Sequence, residues 1–166
     1  MDELRTALMA ACPALADAPA LWRPSASSCL FTRDGAELRG IVGQRFYLPV
    51  LEAADIPRAG QVLFDRLWLA GFGRYEISKS GALLARTVMD ATVFQPERLD
   101  FCGGAAVGKG LVQRLPEPVL FNGDAPYLDT RAALPDLTAE ERERLAHLRE
   151  ALVAPLAEER ARIREA

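Results

Sequence analysis

Residues 75–101 read YEISKSGALLARTVMDATVFQPERLDF, a stretch that mixes serine, lysine, arginine and carboxylate side chains with short apolar runs. If residues 84–94 are extended, successive side chains point to opposite faces of the strand. One face is then small or apolar and belongs to the core, whereas the other brings Arg86 and Asp90 together. Such a pair is either a structural salt bridge or part of a nucleoside triphosphate site, with a cation for phosphate and a carboxylate for a metal ion.

Length and composition fit one small domain, with or without a terminal extension. The chain has 166 residues, half of them hydrophobic, and a formal net charge of −3. This charge gives no support to a protein that coats nucleic acid, although it is compatible with a local basic site. The three cysteines, Cys12, Cys29 and Cys102, lack metal-ligand spacing. They predict reduced thiols in a cytoplasmic protein.

Membrane proteins and histidine-dependent enzymes are disfavoured. No apolar run reaches membrane-spanning length, and Asp2 and Glu3 stand where a signal peptide carries positive charge. We therefore expect no membrane partner. His147 is the one histidine, which disfavours a histidine-rich metal site and a Ser-His-Asp triad.

Residues 55–70 predict the clearest helix. Asp55 is a suitable N-cap, Pro57 lies in the first turn, and Gly71 is placed to end the helix. The apolar residues between them recur at helical spacing and predict a core-facing stripe, which consists of Val62, Leu63, Leu67 and Ala70, widened by Phe64 and Trp68.

Strand signals surround this helix. Asp34-Gly35 predicts a two-residue hairpin turn, and residues 44–51 predict a further strand before the helix. With a strand at 84–94 after it, the order of elements is typical of an α+β domain. In that class, helices pack on one face of a largely antiparallel sheet.

The C-terminal residues predict a charged helical extension. Thr138 and Glu141 form a capping box at the start of a helix over residues 138–154, and Pro155 kinks or restarts that helix. Its apolar stripe is narrow and consists of Leu145, Leu148, Leu152 and Leu156. We therefore expect an α+β domain at 1–136 and a helical extension at 137–166, with a linker to further domains as one interpretation of the extension.

Residues 103–109, GGAAVGK, fit the phosphate-cradling pattern GxxxxGK. Gly110 stands where a metal-binding serine or threonine belongs, and Pro116 interrupts the residues that would have to form the following helix. A turn or flexible loop is therefore the favoured interpretation, with Lys109 able to touch a phosphate.

The order of these features resembles the catalytic core of archaeo-eukaryotic primases and the related primase-polymerases of plasmids and phages. ISKSG at 77–81 resembles the family's Ser-x-His motif, and MDATVFQPERLDF at 89–101 resembles the segment with its third acid and a following arginine. The likeness covers roughly residues 44–121. It implies an RRM-like sheet and a place in a mobile-element replication protein, where a helicase region would follow in the same chain.

The resemblance implies metal-dependent nucleotidyl transfer, the chemistry of a primase or DNA polymerase. Asp90 is then the first candidate for a catalytic carboxylate that binds Mg²⁺ or Mn²⁺, with Glu52 and Asp55 as its partners. The candidate nucleotide- and phosphate-binding residues are Ser78, Lys79, Ser80, Arg86 and Arg98. The implied partners are a nucleoside triphosphate and single-stranded DNA or a primer-template.

Departures from the family pattern leave other function classes open. Ser80 stands at the position of the family's histidine, and the paired first acids are not in Asp-x-Asp form. A catalytically silent domain is therefore an alternative. It would be either a nucleic-acid-binding module or a protein-interaction domain that docks through its charged C-terminal helix. The side chains available for base stacking are Phe46, Tyr47 and Tyr75.

Overall fold

The computed structural model describes residues 2–95, 97–100 and 102–165, so Pro96 and Phe101 lie outside the described residues. The described chain combines helices with antiparallel strand pairs, which confirms the α+β class. It divides into two compact units. The helical unit consists of Met1–Leu15, Glu52–Pro96 and Asp129–Ala166, and the strand unit consists of Ala16–Leu51 and Glu97–Leu128.

Thirteen regular elements are labelled here in chain order. The helices are α1 (Asp2–Ala11), α2 (Ile56–Leu67), α3 (Thr130–Ala133), α4 (Ala139–Val153) and α5 (Ala157–Glu165). The strands are β1 (Ala20–Pro24), β2 (Leu30–Thr32), β3 (Glu37–Arg39), β4 (Gln44–Tyr47), β5 (Arg74–Ile77), β6 (Leu83–Arg86), β7 (Leu111–Gln113) and β8 (Val119–Phe121).

Helix α2 supplies the centre of the helical unit. The predicted stripe is confirmed at Val62, Leu63 and Leu67 and at the widening residues Phe64 and Trp68, which are all buried, but not at Ala70, which is exposed. After Leu67 the chain continues in a wide π turn, Trp68–Phe72, in which Gly71 has a φ of 87°. This left-handed conformation favours glycine and explains why the helix ends here. Against the stripe pack buried residues from other helices and from the segments beside them, namely Ala7, Ala11, Cys12, Leu134, Leu137 and Leu145.

Helix α4 begins as its sequence predicts, but only part of its predicted apolar stripe packs, since Leu152 is exposed. The Thr138 side chain accepts a hydrogen bond from the Glu141 amide, and the Glu141 carboxylate accepts one from the Thr138 amide, which completes the capping box. Leu145 is buried in the core, and Leu148 packs against its edge. The residues just before and just after the predicted boundary at 136/137 therefore belong to the same helical unit.

The strand unit contains two three-stranded antiparallel sheets. Their strand orders are β4-β1-β8 and β3-β2-β7. The predicted hairpin is confirmed, because β2 and β3 pair around Gly35, which has a φ of 97°. In the first sheet, Trp22 lies opposite Phe46 and Val119 and is buried.

The predicted strand at 84–94 is wrong after Arg86. Strand β6 ends at that residue, and Ala91–Phe94 form a 3₁₀ turn. The strand expected at 44–51 also stops early, at Tyr47. β4 and β6 lie in different sheets, and β6 pairs within the described residues only with β5. The RRM-like arrangement of one sheet under the helices is therefore not confirmed.

No helix in the described ranges is both long enough and apolar enough to cross a membrane.

Candidate functional site

The β5–β6 hairpin carries most of the predicted phosphate-binding residues. Its turn is closed by a hydrogen bond from the Ser78 amide to the Ala82 carbonyl at 2.9 Å, and Gly81 adopts a φ of 74°. The Ser78 hydroxyl accepts a hydrogen bond from the Ala82 amide at 3.0 Å and lies 2.9 Å from the Ser80 hydroxyl. Ser78 thus shapes the turn, while Lys79 and Ser80 are exposed at its tip.

Two arginines face each other across this hairpin. Arg74 and Arg86 are directly opposite in the strand register, which places their side chains on the same face. Both donate to Glu76, from Arg74 Nη2 to Oε1 and from Arg86 Nε to Oε2, each at 3.0 Å. These contacts, Arg86 first, lower the pKa of Glu76. The Glu76 carboxylate therefore pairs with two exposed arginines. Lys79 is a third exposed cation, at the turn of the same hairpin.

Arg86 and Asp90 do not lie on one extended strand, because the strand ends at Arg86. Thr87 is buried, and its hydroxyl both donates to the Met89 carbonyl and accepts from the Met89 amide, each at 3.1 Å. These local bonds compete with the strand ladder and turn the chain. Asp90 is exposed and caps the 3₁₀ turn, where Oδ1 accepts from the amide and hydroxyl of Thr92 at 2.9 and 2.8 Å.

Asp55 is buried, with its side chain 1% exposed, and it does not cap α2 through its carboxylate. Arg58 instead donates to both oxygens, from Nε to Oδ1 and from Nη2 to Oδ2, each at 2.7 Å. The Thr130 hydroxyl donates to Oδ2 at 2.6 Å. Hydrogen bonds from Arg58 and Thr130 hold the pKa of Asp55 far below its usual range. The Asp55 carboxylate therefore connects the start of α2 to the start of α3 through hydrogen bonds.

Glu52 and Asp55 converge on one cation. Arg131 donates from Nε to the Glu52 carboxylate at 2.8 Å, and its Nη2 lies 3.7 Å from Asp55 Oδ1. Two guanidinium groups, those of Arg58 and Arg131, thus already neutralise these two carboxylates. Both oxygens of Asp55 are occupied by donors, and nearby positive charge repels a divalent cation. The Glu52–Asp55 pair in this arrangement does not fit Mg²⁺ or Mn²⁺.

Helix α5 brings further arginines to the hairpin turn. Arg160 donates from Nε to the Gly81 carbonyl at 3.3 Å. Arg164 also lies against this turn, since a Cβ placed on Gly81 would sit 2.6 Å from its Cγ. We call Arg74, Lys79, Arg86, Arg160 and Arg164 the basic hairpin surface. Arg74 was not among the predicted site residues, although strand alternation with Glu76 could have revealed it. No signal in the sequence indicates the two distant arginines of α5.

The remaining candidates lie elsewhere. Arg98 is exposed and belongs to the strand unit, whereas Asp90 belongs to the helical unit. Phe46 stacks with Phe121 at a ring-centroid distance of 6.1 Å, and Tyr75 packs on Trp68 at 5.0 Å. Phe46 and Tyr75, two of the candidates for base stacking, therefore already pack on aromatic partners within the chain.

Tyr47 is held in a polar cluster of the strand unit. Its hydroxyl donates to the Asp100 carboxylate, which also accepts from Arg45 Nε at 2.9 Å, and the Cys102 thiol lies 3.8 Å from the same hydroxyl. Burial, followed by the Asp100 contact, raises the pKa of Tyr47. The phenol therefore stays protonated and keeps its bond to Asp100.

Comparison with known proteins gives no match to this chain among protein-family models, curated proteins or solved structures.

Proposed function

We propose that this chain is a nucleic-acid-binding domain of a mobile-element replication protein, and that the basic hairpin surface binds the phosphates of single-stranded DNA. The proposal keeps Lys79, Ser80 and Arg86 in the role that the primase-polymerase resemblance implies. It adds Arg74 from the opposite strand and the α5 arginines at the turn.

The observation that carries the proposal is the cross-strand arginine pair. Like charges directly opposite each other on a sheet destabilise it, and Glu76 compensates only one of the two positive charges. With Lys79, the exposed face and tip of the hairpin have two more positive charges than negative ones, in a chain whose net charge is −3. Arginine is suited to phosphate because its planar group donates two parallel hydrogen bonds.

Nucleotidyl transfer is the further activity that the resemblance implies. It needs carboxylates that hold a metal ion, and the Glu52–Asp55 pair is committed to Arg58 and Arg131. The geometry therefore supports binding more directly than catalysis. A metal-ligand role for Asp90 stays a prediction, which primer extension with Mg²⁺ or Mn²⁺ tests through the Asp90→Asn variant.

The binding proposal is tested by titrating a fluorescent single-stranded oligonucleotide with the full chain and following anisotropy. We expect the double variant Arg74→Gln/Arg86→Gln to bind about tenfold more weakly or worse, because each arginine loses a charge-assisted contact. Lys79→Gln should weaken binding as well.

The matched control is Arg39→Gln, which removes one positive charge from an exposed position in β3 of the strand unit. It should leave the affinity unchanged. Equal affinities for the wild-type chain and the Arg74→Gln/Arg86→Gln variant, both with intact circular dichroism, would refute the proposal. Protein-interaction docking would then be the leading function.

A further inference from the structure

Glu76 lies between the two arginines of the β5–β6 hairpin and uses a different oxygen for each of them. Arg74 donates from Nη2 to Oε1 and Arg86 donates from Nε to Oε2, each at 3.0 Å. Each guanidinium thus gives the carboxylate one N–H group, although it has five in all. Arg74 makes one longer contact as well, from Nη1 to the Thr87 carbonyl at 3.5 Å. The carboxylate therefore bridges the two arginines without using all of their donors.

A bound phosphate competes with Glu76 for these arginines. A phosphodiester, like a carboxylate, offers two oxygens that share one negative charge, and a guanidinium binds both groups in the same way. The bridging position lets a single anion contact both arginines, and Glu76 occupies that position. A phosphate that contacts Arg74 and Arg86 there therefore requires Glu76 to leave.

The two ion pairs are exposed, so Glu76 is held weakly. The side chains of Arg74, Glu76 and Arg86 are 57%, 46% and 46% exposed, and ion pairs exposed to this degree contribute little to stability. An oligonucleotide that contacts Lys79 as well as the arginines gains several contacts at once and displaces the carboxylate. An isolated phosphate ion gains only the contacts that Glu76 already makes, so it has no advantage over Glu76.

The hairpin does not depend on Glu76 for its shape. The β5–β6 ladder pairs over the full length of both strands, and the Ser78 amide closes the turn on the Ala82 carbonyl. On the opposite face of β5, Tyr75 packs on the buried ring of Trp68. Backbone hydrogen bonds and an aromatic contact thus hold the hairpin, whereas Glu76 changes the charge of its exposed face.

We infer that Glu76 limits the affinity of the basic hairpin surface. It binds Arg74 and Arg86 in the free chain and is displaced when a phosphodiester chain binds. This inference rests on the proposed function, and it adds the residue that sets the binding strength and discriminates against isolated phosphate ions. Glu76 acts through the two arginines and does not itself contact the DNA.

Glu76→Gln tests the inference, because it keeps the shape of the side chain and removes its charge. In anisotropy titrations of the full chain with a fluorescent single-stranded oligonucleotide, this variant should bind about threefold to tenfold more tightly than the wild type, since two exposed ion pairs no longer have to be broken. The matched control Glu117→Gln removes the same charge from an exposed position of the strand unit and should bind as the wild type does.

The effect of Glu76→Gln should depend on the arginine partners. In the Arg74→Gln/Arg86→Gln background it should change the affinity by less than about twofold, because no cation remains for Glu76 to occupy. A general repulsion between Glu76 and DNA would instead raise the affinity equally in both backgrounds. Arg74→Gln/Glu76→Gln avoids two unpaired arginines directly opposite each other, and it should bind more tightly than Arg74→Gln alone.

Salt and inorganic phosphate give readouts that a purely structural role of Glu76 would not change. In the wild type, the carboxylate takes up a counterion when it leaves the arginines, which offsets part of the counterion release on binding. Glu76→Gln should therefore steepen the slope of log K against log salt by up to about 0.7. At constant ionic strength, inorganic phosphate should compete with the oligonucleotide more strongly in Glu76→Gln than in the wild type.

The inference is overturned if Glu76→Gln keeps its circular dichroism and binds the oligonucleotide no more tightly than the wild type. It is also overturned if the gain in affinity is equally large in the Arg74→Gln/Arg86→Gln background. The proposed function fails by a different result, namely equal binding by the wild type and the Arg74→Gln/Arg86→Gln variant. Absence of binding by both the wild type and Glu76→Gln refutes both.

Discussion

Arg58 holds Asp55 through two parallel hydrogen bonds, both 2.7 Å long, and its Nη1 also donates to the Leu134 carbonyl and to Asp136 at 2.8 Å. One guanidinium therefore connects the start of α2 to the segment between α3 and α4. Thr130 completes the arrangement with its hydroxyl on the same carboxylate. Because Asp55 is buried, this contact is more than a solvent-exposed ion pair.

Thr130→Val tests the hydroxyl contact. Thr130 is buried, and the substitution keeps its shape while removing a hydrogen bond to a charged group. We expect the free energy of unfolding to fall by about 2 kcal/mol, measured by urea denaturation. Asp55→Asn should cost more, since it leaves Arg58 with only the exposed Asp136 as a counter-ion. Glu52→Gln is the control, because the Glu52–Arg131 pair is half exposed and contributes little.

The acid stability of the chain should depend on Asp55. Its folded-state pKa is depressed, so the carboxylate stabilises the native state above its unfolded pKa of about 4. This contribution is lost as the pH falls below that value, because the unfolded state then binds more protons than the native state. Unfolding experiments between pH 6 and about pH 2 should show a shallower pH dependence for Asp55→Asn. An identical dependence in both proteins would contradict a buried, ionised Asp55.

Gly60→Ala should be destabilising even though Gly60 lies inside α2. Alanine normally stabilises a helix interior relative to glycine by about 1 kcal/mol. Here, a Cβ would overlap the ring of Phe94 from the 3₁₀ turn that follows Asp90. We expect a net loss of about 1–3 kcal/mol in urea denaturation. Adding Phe94→Ala should then cost less in the Gly60→Ala background than in the wild type, and simple additivity would argue against this contact.

Leu145→Ala should show that α4 is part of the core of the helical unit. Leu145 is 5% exposed, and truncating such a leucine costs about 3 kcal/mol. Leu152, on the same helix, is 37% exposed, so Leu152→Ala should cost well under half as much. Urea denaturation measures both losses. Amide hydrogen exchange as fast as in an unfolded peptide over 139–153 would contradict the packing of α4.

Oligonucleotide binding should depend steeply on salt if the basic hairpin surface contacts phosphates. Each contact to single-stranded DNA contributes about 0.7 to the slope of log K against log salt. Arg86→Gln should therefore reduce the slope by about that amount, whereas Arg39→Gln should not change it. Anisotropy titrations at several salt concentrations give both slopes. A salt-independent affinity would exclude the phosphate contacts.

Sequence patterns predicted the turns and helix ends that depend on neighbouring residues. The turn at Asp34-Gly35, the left-handed Gly71 in the π turn after α2 and the capping box at Thr138 each depend on residues a few positions apart. The strand at 84–94 was wrong because alternation alone does not reveal that Thr87 bonds to the backbone of Met89. That local bond ends the strand before Asp90.

The candidate site was harder to predict because its contacts join distant residues. Arg58 lies one helical turn after Asp55, a spacing that indicates an ion pair, whereas Asp55 was predicted to cap the helix or to bind a metal ion. Nothing in the sequence near Asp55 indicates Thr130 or Arg131 as further partners. The hairpin residues were correctly grouped in part, since Lys79 and Arg86 belong to one supersecondary element.

The order in which the chain passes between the two units constrains its synthesis. The helical unit draws on three separate segments and the strand unit on two, in alternation. During translation α1 and α2 are made before Leu145 of their common core, which leaves the ribosome only after the whole strand unit has been made. Neither unit can be completed before the other has begun, and no single proteolytic cut releases either one intact. The core around α2 is therefore complete only after α4 has been made.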